Sequence, residues 1–218
     1  MIGRRGMLRA GVGLAVHQET RAAAALPVPS AGALAFRLIR HGSEIGRQTL
    51  TFERQGDTLM VRVAVDVLVE IISIPVARYR QRVVETWRGD TLTGLTGETD
   101  RNGQQDWMNA RRMSGGLVVF GSKTDRYIAP EPAGTTTYWN KRTLDAPLID
   151  LEGGALLRLK LVVSRAETVP AGTGGVIQAD RYSLSGPFNI DLWYDQAETL
   201  AGAAFTVVDG SVVRYERL

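Results

Sequence analysis

The sequence predicts an all-β fold: one large antiparallel meander of about ten to twelve strands, curled into an open (half) or closed barrel because so wide a flat sheet is unusual. Three observations carry this. Apolar residues alternate with period two along most of the chain from Leu34 onward, turn residues recur at short intervals between the alternating runs, and helical periodicity is nearly absent. A chain of 218 residues is sized for one such domain, placed here at residues 34–218 behind a linker at 26–33.

The first runs, Leu34–Arg40 and Gly46–Arg54, flank His41-Gly42. Gln55-Gly56-Asp57 then leads into the clearest alternation, Leu59, Val61, Val63, Val65, Val67 and Val69 against a mixed opposite face. Val76–Trp87 follows, with Arg78, Arg80 and Arg82 on one face of a single strand. Arg88-Gly89-Asp90 introduces Thr91–Thr99, Asn102-Gly103 introduces Gln104–Met113, and Ser114-Gly115-Gly116 introduces Leu117–Ser122. Residues 129–153, with Pro130 and Pro132, lack alternation; one helical turn is expected at Tyr138–Leu144. The remaining runs are Leu156–Glu167, Val176–Ser185, Asn189–Tyr194, Ala203–Val207 and Val212–Leu218. Connections this short require antiparallel neighbours, since parallel strands need crossovers of about a dozen residues. A sandwich is the alternative architecture.

Composition narrows the chemistry. Hydrophobic residues at 44% and charged residues at 22% are ordinary for a folded chain. With no cysteine there is no disulfide, thiolate zinc site, iron–sulfur cluster or cysteine nucleophile, and two histidines are too few for a histidine-rich metal site. No metal and no cofactor is expected. The net charge of +3 lies wholly in residues 1–25, where Arg4, Arg5, Arg9 and Arg21 face Glu19, so the body of the chain offers no basic footprint for nucleic acid.

That N-terminal stretch reads as an export signal: a basic start, the apolar Ala10–Val16 and the small residues Ala22–Ala25. The string GRRGMLR at Gly3–Arg9 resembles the twin-arginine signal, with Gly3 in place of the usual hydroxyl residue. A cleaved signal at 1–25 predicts a periplasmic product, soluble after cleavage and without a transmembrane segment.

Catalytic patterns are sparse. His41 lies in a predicted turn, and the chain has no Gly-x-Ser-x-Gly elbow, Walker lysine, Ser-x-x-Lys or His-Glu-x-x-His. Carboxylate chemistry remains, with Glu85, Asp191 and Asp195 as candidates. The leading expectation is a non-catalytic binding or carrier protein for an apolar or amphipathic ligand such as a lipid. Trp87, Trp107, Tyr138, Trp139 and Trp193 are its candidate contacts, and Arg78, Arg80 and Arg82 its candidate headgroup contacts. The three arginines would otherwise meet Asp66 and Glu70 across a hairpin. The alternatives are a carboxylate hydrolase of envelope polysaccharide or lipid, and an envelope assembly partner using the apolar segment Val67–Ile74.

Several features together resemble an uncharacterised family of exported bacterial β-proteins, many with twin-arginine-type signals, catalogued as a domain of unknown function. They are Phe36…Gly42…Ile45-Gly46, Tyr79…Glu85-Thr86-Trp87…Leu92, Asn102-Gly103, Trp139, and the ending Leu192-Trp193-Tyr194-Asp195…Phe205…Asp209-Gly210…Tyr215…Leu218. More remotely, the meander is similar to half-barrel envelope proteins of the lipoprotein-carrier type. The resemblance implies a curved antiparallel sheet and an envelope location, and assigns no catalytic residues.

Overall fold

A computed structural model describes residues 26–71 and 74–218; the export signal read at 1–25 lies outside the described residues. The first eight strands are β1 (Ala33–Arg40), β2 (Ser43–Gln55), β3 (Thr58–Ile71), β4 (Ile74–Arg88), β5 (Thr91–Arg101), β6 (Gln104–Met113), β7 (Gly116–Gly121) and β8 (Thr124–Ala129). Three two-residue strands follow, β9 (Gly134–Thr135), β10 (Leu148–Ile149) and β11 (Leu156–Leu157), with a single 3-10 turn at Lys141–Thr143. The chain ends with β12 (Lys160–Pro170), β13 (Val176–Ser185), β14 (Asn189–Tyr194), β15 (Leu200–Thr206) and β16 (Val212–Arg217).

Thirteen strands form one antiparallel sheet, in which β12 to β16 run in sequence order and then β1 to β8. The pairing of β1 with β16 places the first and last of the described strands side by side within the sheet. β8 and β12 are left as edges, so the sheet is an open half-barrel and neither a closed barrel nor a sandwich. Hairpin chemistry sets the register: His41 and Gly42 both take positive φ, the conformation a tight two-residue turn requires. The alternation sets the faces, with Leu59, Val61, Val63 and Val65 of β3 buried.

The sequence-predicted strands are present, and the short β9 and β10 lie in the stretch without alternation; two further differences have local causes. β8, a polar edge strand, carries too little alternation to be read, and Leu156–Glu167 breaks in two because Leu156 and Leu157 turn aside to pair with β10. The segment from Ala129 to Leu159 is not a surface loop. It crosses the concave face of the half-barrel and packs there, with Trp139, Leu144, Leu148, Ile149 and Leu151 in the main core. A second, small cluster of Val169, Ala179 and Ala201 with Trp193 lies apart from that core. Among the described residues no helix is long and apolar enough to cross a membrane.

Candidate functional site

The crossing segment fills one end of the half-barrel and leaves the other end hollow. At the filled end the Trp139 ring meets Phe52 and Trp87 edge-on, at centroid distances of 5.3 and 5.6 Å. Beneath them lies Glu85, fully buried. Its Oε2 accepts from Trp87 Nε1 at 2.7 Å and from Trp139 Nε1 at 2.6 Å. Its Oε1 lies 2.6 Å from the Thr135 hydroxyl and 2.7 Å from that of Thr137. The carboxylate is enclosed by four donors from the protein itself, an anchor rather than a reactive group.

At the hollow end is a cavity of about 480 Å³. Its residues flank the hairpin turns at His41-Gly42, Asn102-Gly103 and Asp209-Gly210. Its apolar lining runs across six adjoining strands: Ile190 of β14, Leu200 and Phe205 of β15, Val213 and Tyr215 of β16, Leu38 of β1, Ile45 of β2, and Val65, Val67 and Val69 of β3. Tyr138, Asp150 and Glu152 of the crossing segment form another side, with Tyr79, Gln81, Gln48 and Arg101 beside them.

The electrostatics of this side follow from burial. Loss of water pushes the Asp150 carboxyl above its ordinary range; the neighbouring Glu152 charge pushes the same way, against a hydrogen bond from the Gly153 N–H. Glu152 pairs with Arg101 and, at 3.3 Å, with Lys123, whose ammonium also sits 2.7 Å from Asp106. That lysine holds Asp106 below the usual carboxylate range. Arg101 stacks over Tyr79 at 5.7 Å. Burial, and secondarily Glu152, raises the Tyr79 phenol, and burial pushes Tyr215 up to about 12, so both rings stay neutral at physiological pH. Among the described residues no cluster of three metal-ligating side chains occurs.

Of the eight ligand contacts expected from sequence, Tyr138 alone lines this cavity. Trp87 and Trp139 are core residues tied to Glu85. Trp193 donates to Glu167 at 2.9 Å in the small second cluster. Trp107 is 47% exposed and stacks edge-on with Phe120 on the convex face, because its strand neighbour Met108 takes the inward position. Arg78, Arg80 and Arg82 also project to the convex face, since β4 buries the alternate positions Gln81, Val83 and Glu85. Arg82 there grips both oxygens of Asp66 at 2.9 Å and Arg80 approaches the same carboxylate at 3.8 Å. The carboxylate candidates separate in the same way. Glu85 is in the core, Asp191 accepts from Ser183, and Asp195 caps a turn through the Ala197 and Thr199 N–H groups. The carboxylates that do reach the cavity, Asp150 and Glu152, lie in the segment without alternation, where no sequence signal marks them.

The family model for a domain of unknown function, DUF6134, matches residues 36–218. The chain belongs to DUF6134. No curated protein matches it. Its fold is also that of a β-barrel-like protein of another domain of unknown function, DUF1849, from Brucella abortus. The two superpose with a TM-score of 0.60 at 11% identity, over 85% of this chain and 94% of the other. At that identity the likeness shows the fold alone. The DUF6134 match begins at Phe36, in the first strand, and runs through both the cavity walls and the crossing segment.

Proposed function

We propose that this DUF6134 protein is a non-catalytic binding protein that shelters an apolar or amphipathic ligand inside its half-barrel. One observation carries the reading: a cavity of about 480 Å³ is lined largely by apolar side chains of the curved sheet. That volume falls in the range of about 300–1,000 Å³ typical of small-molecule sites. Its contacts are Tyr138, Phe205 and Tyr215 with the aliphatic walls. The export pattern at residues 1–25 supports a periplasmic setting, in which such a protein would hold a lipid or similar molecule away from water.

Native mass spectrometry of the protein purified without detergent, followed by organic extraction, tests the reading. A stoichiometric apolar molecule is expected, and it should be missing from Ala203→Phe, which adds a ring at a residue lining the cavity. A molecule retained equally by the folded A203F variant would place the ligand elsewhere and overturn the assignment.

A second reading, carboxylate chemistry on a bound molecule, is favoured by Asp150 alone, a cavity carboxyl pushed upward by burial beside Glu152. Hydrolysis of an extracted ester or glycoside that Asp150→Asn abolishes would establish it.

A further inference from the structure

A single row of residues crosses the concave face where the filled end meets the hollow end. The register aligns Gln48 of β2 with Val65 of β3, Val65 with Gln81 of β4, Gln81 with Thr99 of β5, and Thr99 with Asp106 of β6. Four of these five are polar, and all are buried. Three of the four have a side-chain partner within the protein. Gln81 Nε2 donates to the Thr99 hydroxyl at 3.1 Å, and Asp106 accepts from Ser122 at 3.0 Å and pairs with Lys123. Gln48 is different. It is only 8% exposed, it lines the cavity, and among the described residues no group donates to or accepts from its side chain. Val65 stands between it and Gln81. Its amide oxygen and nitrogen stay open to the cavity, where water or a ligand completes them.

What completes it is constrained by charge. The two arginines that reach the cavity are already engaged, Arg101 with Glu152 and Arg40 with Asp209. An anionic headgroup would therefore find no free cation, and would face Asp150 as well. The unfilled valences are those of a neutral amide: a donor and an acceptor on Gln48, and an acceptor on Gln81, whose Nε2 is occupied. Whichever way the Gln48 amide is turned, it presents one of each.

Building on the binding function proposed above, we infer that Gln48 is the polar recognition point of the cavity, and that the ligand is an aliphatic-chain molecule bearing a neutral amide or hydroxyl group. The aliphatic walls take the chain, and Gln48 exchanges a donor and an acceptor with the head. A free fatty acid or a phosphate ester is selected against.

Calorimetric titration of the full chain at pH 7 with dodecanamide, dodecanol, dodecanoate and dodecylamine tests this. The amide and the alcohol should each bind at least about tenfold more tightly than the carboxylate, the worth of one or two net hydrogen bonds. Gln48→Leu should weaken the amide and the alcohol about tenfold while still binding all four chains, and its thermal midpoint without ligand should equal or exceed that of the parent. Gln48→Met serves the same purpose if the branched side chain does not pack. Dodecanoate or dodecylamine binding best, or a Q48L variant that binds the amide and the alcohol as tightly as the parent, overturns the inference and leaves the cavity reading intact. Failure of every chain to bind overturns both.

Discussion

Glu85 on the sheet and Trp139 on the crossing segment are joined by a 2.6 Å hydrogen bond between a fully buried carboxylate and an indole N–H. The same carboxylate holds Trp87 from its own strand and Thr135 and Thr137 from the crossing segment. One side chain thereby fixes both the position and the orientation of a segment with little regular structure of its own. The position of that segment decides which end of the half-barrel is filled and which is hollow.

Glu85→Ala removes the acceptor of two buried indole N–H groups and leaves the Thr135 and Thr137 hydroxyls, 2.7 Å apart, only each other, so it should cost about 3 kcal/mol or more. Glu85→Gln should cost less. Its carbonyl can still face the indoles, and its amide can donate to the threonine hydroxyls, which also accept. Urea denaturation of the two variants measures the difference. An E85A variant within about 1 kcal/mol of the parent would show that the cluster is not an anchor.

Gly97 marks a second point of close approach. A Cβ there would sit 2.7 Å from the Leu151 carbonyl oxygen and 3.1 Å from Met108 Cγ. Gly97→Ala should push the crossing segment off β5 and destabilise the fold by about 1–3 kcal/mol, the usual cost of overpacking. The readout is a lowered urea midpoint at unchanged slope. An unaltered midpoint would mean that the segment does not rest against this strand.

The strands were legible because period-two alternation and turn residues act locally. Leu59 to Val69 can face inward only as a strand, and His41-Gly42 can only turn. The site was not legible, because face assignment is relative: alternation places Arg78, Arg80 and Arg82 together without saying that Gln81, Val83 and Glu85, on the opposite face of the strand, take the core. Tryptophan identity was similarly uninformative. Trp87, Trp107 and Trp193 sit on alternating strands, yet one is in the core, one is on the convex face and one is in a side cluster. The crossing segment is held by contacts to distant strands, such as Glu85 to Trp139 and Tyr194 to the Tyr138 carbonyl, and no local pattern encodes those.

The convex-face arginines make a contrasting prediction. Arg82 and Asp66 are each about half exposed, so their bidentate contact is screened by water and salt. Arg82→Ala should cost no more than about 1 kcal/mol and should leave ligand uptake unchanged. A large loss of uptake in this variant would return the arginines to the binding site.

Asp150 supplies a pH dependence whose sign is fixed by burial. Its carboxyl titrates above 3.8, its ordinary value, when the protein is folded, chiefly because it is desolvated and secondarily because of Glu152. Between the unfolded and folded values the native state holds more protons than the unfolded chain, so stability from this group falls as pH rises through that window. The penalty is complete above the folded value and absent below 3.8. Asparagine cannot ionise, and its carbonyl can keep the bond from the Gly153 N–H, now 3.2 Å long. Asp150→Asn should therefore raise the thermal midpoint at pH 7, with the gain shrinking to nothing as the pH is lowered through the aspartate range. The comparison needs only melting curves of the two proteins across pH. If D150N melts below the parent at neutral pH but matches it in acid, the charged carboxylate is stabilising, and an unrecognised cationic partner faces it.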